Sequence, residues 1–191
     1  METFAYFPSL IYRDEKPEWV SAVKEVSDRY LNAVPHPEYP VVQGNDMRLD
    51  LGWLCMHLAG EAKEILASQG YDVDGYDIHI SDMWPQSIGR HGTNILHSHG
   101  NTQISGLYFL EFPEGGAYPM FGDPRPGNTM SCLRNIPSEE IKASTPFVHF
   151  NNVVPGTILF FNSFLPHMIS ISQADERTIF IHFMATATRR G

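Results

Sequence analysis

The chain has 191 residues, 42% of them hydrophobic, and a formal net charge of −9 at pH 7. That length and composition suffice for one well-cored domain, and no stretch approaches the roughly 20 apolar residues of a membrane-spanning helix. The acidic balance argues against nucleic acid or an anionic membrane as a partner, because both require a positive surface. We therefore expect one domain over residues 1–191.

The cysteines and the first residues of the chain indicate the cellular compartment. Cys55 and Cys132 lie in unlike contexts and form no C-x-x-C pair, so neither a disulfide framework nor a zinc knuckle is indicated. The start, Met1-Glu2-Thr3, lacks the basic residues and apolar run of a signal peptide. We expect reduced cysteines and a cytoplasmic protein.

The part of the chain before about residue 70 predicts two helices. A strand is expected first, over residues 4–12. Pro17 suits the first turn of a helix whose apolar residues recur at helical spacing as far as Leu31. A second helix is expected from about residue 49 to 68, with Gly70 as its stop.

From about residue 76 to 186 the pattern changes to short β-type runs separated by Gly, Pro and Asn. Eight short strands at this spacing predict a jelly-roll or barrel rather than a parallel sheet. We expect a mainly β fold in which the two helices brace one sheet from outside. The expected strands are residues 77–84, 94–97, 102–111, 118–121, 147–150, 157–162, 167–172 and 178–184.

Two histidines stand at the end of the second of these strands. His97 and His99 are separated by one residue, and side chains two apart on a strand point the same way. Both could therefore offer an imidazole nitrogen to one metal ion. The alternative for the pair alone is an exposed strand face that carries two histidines.

A third histidine and an arginine follow near the end of the chain. His167 stands beside a break between strands, and Arg177 opens the last strand. A guanidinium group is not buried unpaired, and its planar fork suits a carboxylate. A core histidine and a surface arginine are the alternatives for each residue alone. Together with the earlier pair, they favour a metal site with an anion-binding arginine.

These residues resemble the motif of the 2-oxoglutarate- and Fe(II)-dependent oxygenases. That motif is His-x-Asp/Glu, a distal His and an Arg about ten residues later, here His97, His99, His167 and Arg177. More narrowly, the chain is similar to a family of small oxygenases of this class that is common in phages and marine bacteria. The shared segments span most of the chain: FPSLIY at 7–12, Trp84, SGLYFL at 105–110 and DPR at 123–125.

The resemblance implies a double-stranded β-helix, or jelly-roll, over about residues 76–186, braced by the helical part over about 1–70. It implies Fe(II) bound by His97, His99 and His167, and 2-oxoglutarate held by Arg177 with help from the Tyr108 hydroxyl. The implied reaction uses O2 to hydroxylate a small-molecule or peptide substrate, with release of succinate and CO2. A homodimer through the N-terminal helices is compatible with the sequence.

Position 99 departs from the wider pattern, because most such enzymes carry a carboxylate there. Three neutral imidazoles leave the same iron positions free but keep one more positive charge on the site. A carboxylate from elsewhere, Asp82, Glu111 or Asp123, is the alternative third ligand. We favour His99 because its position matches the motif.

The irregular segment over residues 122–144 predicts a substrate lid, with a variable surface loop as the alternative. Arg125 and Arg134 are the charges in it most able to hold an anionic group. Three residues are candidates for an apolar wall beside the iron, although core packing is the favoured interpretation of each: Phe160, Phe164 and Ile169.

Two other classes of function stay open. One is a three-His, cupin-like dioxygenase that does not use 2-oxoglutarate, in which Arg177 would have no role. The other is a non-catalytic jelly-roll binding protein, whose metal would have a closed coordination shell.

Overall fold

A computed structural model describes residue 2 and residues 7–130, 133–134 and 140–191 of the chain. Cys132 and the first residues of the strand expected over 4–12 lie outside these ranges. The helices are α1 (Val20–Asn32), which a short 3-10 turn (Pro17–Trp19) precedes, α2 (Gly52–Ser68) and α3 (Pro126–Thr129). The strands are β1 (Ile11–Glu15), β2 (Val41–Gln43), β3 (Tyr76–Ile88), β4 (Asn94–His97), β5 (Ile104–Glu111), β6 (Pro119–Gly122), β7 (Phe147–His149), β8 (Thr157–Asn162), β9 (His167–Ile169) and β10 (Thr178–Arg189).

The strands form two antiparallel sheets. The larger sheet has the order β1-β8-β5-β10-β3-β2, and the smaller has the order β4-β9-β6-β7. From β3 to β6 and again from β7 to β10, successive strands alternate between the two sheets, so the chain winds around a shared interior. This confirms the predicted mainly β, jelly-roll fold.

The two long helices cover the outer face of the larger sheet, as predicted. Leu54 and Leu58 of α2 share a buried cluster with Ile181 and Phe183 of β10. The helix ends at Gly70, whose φ of +91° suits glycine. Its N–H donates to the Ala67 carbonyl and that of Tyr71 to the Leu66 carbonyl, which is the Schellman pattern.

A second core fills the space between the sheets. Residues from both sheets form this cluster, including Phe109 of β5, Phe180 of β10 and Phe121 of β6. Because side chains alternate along a strand, the even residues of β10 face the smaller sheet while Ile179 and Ile181 face the helices. The larger sheet is therefore buried on both faces.

Several strands differ from the predicted bounds. β3 and β10 run beyond the predicted ends because their outer residues pair with each other, as Arg189 does with Tyr76. The first strand begins at Ile11, and the three-residue β2 was not predicted. Within the described ranges, no helix combines the length and apolar character needed to cross a bilayer.

Candidate active site

Three histidines converge at one end of the smaller sheet. His97 on β4 is the cross-strand partner of His167 on β9, and their ring centroids are 4.4 Å apart. β4 ends at His97, so His99 lies in the following loop rather than on the strand as predicted. Its backbone N–H donates to the Ser163 carbonyl at 2.8 Å. One nitrogen from each ring lies within 4.8 Å of the other two, a spacing that suits a shared metal ion.

Backbone carbonyls fix the orientation of two of these rings. The Nδ1 of His97 is 2.7 Å from the Ile95 carbonyl, and that of His167 is 3.0 Å from the Leu165 carbonyl. A carbonyl only accepts, so each Nδ1 carries the hydrogen and each Nε2 keeps a lone pair for a metal. Among the described residues, the buried Nε2 atoms of His99 and His167 have no hydrogen-bond partner.

Burial keeps the inner imidazoles neutral. It lowers the pKa of His167 to about 4, an effect that the neighbouring His97 and His99 increase and the Leu165 carbonyl opposes. Burial and then the nearby His97 also lower the pKa of His99, against the opposing field of Asp82. A metal ligand must be deprotonated, so the site is ready for a cation at neutral pH.

The alternative carboxylate ligands are placed elsewhere. Glu111 pairs with Lys24 at 3.1 Å, and Asp123 pairs with Arg125 at 2.6 Å. Asp82 is not part of the clustered group, which in the described part of the chain consists of the three histidines. We refer to His97, His99 and His167 as the triad.

The chain matches a known family over this region. Residues 82–183 match the model of a family described as "Putative 2OG-Fe(II) oxygenase". The match covers more than half of the chain and includes the whole triad. The chain belongs to this oxygenase family. No curated protein matches the oxygenase in sequence.

Solved structures resemble the oxygenase in fold. The epimerase SnoN from nogalamycin biosynthesis has a TM-score of 0.63 at 13% identity, over 96% of this chain and 82% of its own. HygX from Streptomyces hygroscopicus, solved with nickel and 2-oxoglutarate, has a TM-score of 0.57 at 13% identity, over 93% and 83%. A Pseudomonas putida prolyl-4-hydroxylase has a TM-score of 0.58 at 13% identity, over 96% and 94%.

Arg177 of the oxygenase does not reach the triad. Its Nε donates to the Ser87 hydroxyl at 2.5 Å, and its Nη2 donates to the carbonyls of Tyr39 at 2.9 Å and Ser87 at 3.1 Å. Gln86 bonds to the first residue of β4 and Ile88 packs between the sheets, so Ser87 points to the opposite face. The guanidinium group therefore lies across the larger sheet from the triad, and a role of Arg177 in binding 2-oxoglutarate stays a prediction.

Tyr108 also lies on the face of the larger sheet that packs against the helices, away from the triad, and its predicted role stays a prediction. Its hydroxyl donates to the Lys16 carbonyl at 2.7 Å, and its ring packs in the cluster beneath the helices. Burial raises the pKa of this phenol well above its usual value. The inward position is that of Phe109, so neither residue predicted to hold 2-oxoglutarate is beside the triad.

Of the three residues considered for an apolar wall, two pack in the core, in agreement with the favoured core interpretation. Phe160 faces the helices, and it is Phe161 whose ring packs on His167 at 4.6 Å. Ile169 lies in the core between the sheets, and Phe164 is exposed beside the triad.

The predicted lid stays a prediction, because residues 131–132 and 135–139 lie outside the described ranges. Arg125 donates to the Asp123 carboxylate and to the Ala143 carbonyl at 2.8 Å, so its guanidinium group braces the loop. Arg134 is exposed.

Sequence reasoning missed two residues beside the triad. His182 on β10 stacks on Trp84 of β3 at 4.4 Å and 11°, and its ring is 5.1 Å from that of His99. Burial, followed by the fields of the three triad imidazoles, lowers the pKa of His182 well below its usual value. Alternation predicts that His182 shares a face with the other even residues of this strand, but the sequence does not show that this face is the one toward the triad.

A cleft of about 710 Å³ opens beside His99, between the end of α2, the start of β3 and the loop after β4. A second cleft, of about 700 Å³, lies between α2 and β3 and contains no triad residue. The lining of the first cleft includes Tyr71, Asp72, Tyr76, Ile78 and Phe164. We call it the His99 cleft.

Proposed function

We propose that this oxygenase uses Fe(II), 2-oxoglutarate and O2 to hydroxylate a small molecule or peptide, and releases succinate and CO2. The observation that carries the proposal is the triad: three converging imidazoles, with unpartnered Nε2 atoms on His99 and His167, in a chain of this family. Three ligands leave the remaining iron positions open for a cosubstrate and O2.

Iron fits the residues present. His97, His99 and His167 would hold it, and when bound together with 2-oxoglutarate it supplies the oxidising power to insert oxygen into a C–H bond. The carbonyls of Ile95 and Leu165 keep the rings of His97 and His167 in a ligating orientation. Phe161 packs on His167 and excludes water from the inner side of the site.

The His99 cleft is the proposed substrate site. Its walls carry exposed aromatic rings, Tyr71 and Phe164 among them, and Asp72 is the charged residue of its described lining. Aromatic walls suit apolar or planar groups, and a carboxylate without a basic residue beside it disfavours polyanions. We therefore propose an uncharged or cationic substrate group rather than a nucleic-acid backbone.

Anaerobic reconstitution with Fe(II), followed by optical titration with 2-oxoglutarate, tests the proposal. We expect a weak visible charge-transfer band that is absent in His167→Ala, because that variant lacks the most buried ligand. On admission of O2, the wild type should form succinate. His57→Ala, which removes a helix-side histidine beside Trp19, is the matched control and should retain the band.

Iron bound without such a band would contradict the use of 2-oxoglutarate. It would favour the three-His dioxygenase, the second candidate that the histidine at position 99 supports. Iron bound with no exchangeable water would instead support a binding protein with a structural metal.

A further inference from the structure

Two polar side chains beside the triad lack the partners that buried groups normally have. His182 is only 4% exposed, and neither of its ring nitrogens has a hydrogen-bond partner within the described residues. In the described part of the chain, the buried Nε1 of Trp84, the residue on which it stacks, has no hydrogen-bond partner either. Leaving such donors unpaired costs free energy, so they are expected to meet an acceptor in the working protein.

The position of this pair indicates which acceptor that is. The ring of His182 lies 5.1 Å from His99 and 6.2 Å from His167, so it borders the triad. It is not a fourth ligand, because it is outside the group whose nitrogens lie within 4.8 Å of one another. His182, on which Trp84 stacks, therefore borders the space beside the triad that a ligand of a bound metal would enter.

The hydrogen-bonding groups of His182 and Trp84 further narrow the choice of acceptor. A neutral imidazole has one N–H, and an indole has one N–H and no acceptor. Two neighbouring donors suit a carboxylate, which only accepts. The two residues predicted to supply donors to a cosubstrate, Arg177 and Tyr108, are engaged on the other face of the larger sheet.

We propose that His182 and Trp84 donate hydrogen bonds to the carboxylate of a metal-bound ligand. Under the proposed function, on which this identification of the ligand rests, it is the metal-chelating carboxylate of 2-oxoglutarate. His182 and Trp84 are then positioning residues that orient the cosubstrate. Their cost to the stability of the metal-free protein is offset when the ligand binds.

The test uses Co(II)-loaded protein, in which ligand binding changes the visible absorption of the metal, and two probes. One probe is 2-oxoglutarate; the other is oxalate, which has chelating carboxylates but no distal arm. His182→Phe should weaken the binding of both probes about 10- to 100-fold, which is the range for loss of a hydrogen bond to a charged group. Trp84→Phe keeps the stacking and should weaken both by a smaller factor.

Controls separate this role from a structural one. His182→Phe should leave Co(II) affinity unchanged and should keep or raise the melting temperature of the metal-free protein, because it removes unpaired buried nitrogens. A histidine that only supported the fold would lower that temperature. His57→Phe makes the same replacement on α2, beside Trp19, and should change neither probe's affinity.

Two results would overturn the assignment. Unchanged affinity for both probes in His182→Phe would show that the pair does not contact the ligand. If His182→Phe weakens the binding of 2-oxoglutarate but not that of oxalate, the pair contacts the distal carboxylate of 2-oxoglutarate instead. If the wild type binds oxalate but not 2-oxoglutarate, the proposed function fails, and the oxalate affinity of His182→Phe still decides the role of the pair.

Discussion

The imidazole at position 99 would set the charge of the proposed metal site. Three neutral ligands would leave the two positive charges of Fe(II) uncompensated, and 2-oxoglutarate with its two negative charges would balance them. A carboxylate at position 99 would leave that complex with a net negative charge, which a nearby arginine could offset. The histidine and the remote position of Arg177 are therefore consistent with each other.

His99→Asp tests this charge argument. We expect tighter Fe(II) binding, because the ligand set gains a negative charge. We also expect 2-oxoglutarate to bind about tenfold more weakly or worse, since no cation compensates the extra charge. Competition with a metal chelator measures the affinity for Fe(II), and titration of the visible band measures the affinity for 2-oxoglutarate. Tighter binding of 2-oxoglutarate in His99→Asp would contradict the argument.

Arg177→Met separates a structural from a cosubstrate role for this arginine. Its guanidinium group joins Ser87 to the carbonyl of Tyr39, just before β2. Loss of these bonds should lower the free energy of unfolding by about 1–3 kcal/mol. The affinity for 2-oxoglutarate should not change. Urea unfolding and optical titration measure the two quantities.

Arg90→Met is the matched control for Arg177→Met. Arg90 pairs with Asp175 at the surface, where an ion pair contributes at most about 1 kcal/mol. Loss of 2-oxoglutarate binding in Arg177→Met, with its stability unchanged, would return this arginine to the cosubstrate site.

At the scale of strands, the sequence predicts where a strand begins and ends better than it predicts which face of the sheet each side chain occupies. The bounds of β4 and β8 agree with the expected ones. Alternation shows which residues share a face, but β5 is buried from Ile104 to Leu110, so polarity does not reveal which face is inward. For this reason the sequence does not show that Tyr108 faces the helices or that His182 faces the triad.

Gly106→Ala probes the packing of β5, which lies between β8 and β10. A Cβ on Gly106 would lie 2.0 Å from the Phe183 ring and 2.6 Å from the Leu159 carbonyl oxygen. The carbonyl belongs to the sheet backbone and cannot move aside. We expect a loss of about 1–3 kcal/mol in the free energy of unfolding, measured by urea titration.

Gly60→Ala is the matched control for Gly106→Ala. Gly60 lies inside α2, and a Cβ there meets nothing within 4 Å. This variant should be stabilised by up to about 1 kcal/mol, because alanine favours the helix. Equal stability of Gly106→Ala and the wild type would show that β5 has room that the structure does not indicate.

At the scale of the whole molecule, the fold places neutral histidines where water is scarce. Among the described residues, no Asp, Glu, Lys or Arg is buried, and the triad lies at the margin of the core between the sheets. His167 and His182 are buried there, and burial lowers the pKa of both. Folding is therefore coupled to proton release in the metal-free protein.

The stability of the metal-free protein should fall in mild acid. The pKa of His167 is about 4 in the folded state against 6.5 for an unperturbed histidine, so between these pH values the unfolded chain binds more protons. The stabilising effect of neutral His167 is fully present above pH 6.5 and is lost as the pH falls toward 4. His182 shifts in the same direction. Urea unfolding with chelator present should show a loss on the order of a few kcal/mol across that window.

Two comparisons identify the source of this pH dependence. His167→Phe cannot bind the proton, so its stability should change less between pH 7.5 and pH 5 than that of the wild type. A saturating divalent metal should stabilise the wild type at pH 7.5 by mass action, about 4 kcal/mol at a thousand times its Kd, and less at pH 5, where protons compete for the same nitrogens. An equal pH slope in wild type and variant would show that carboxylates elsewhere, rather than the buried histidines, link folding to protons.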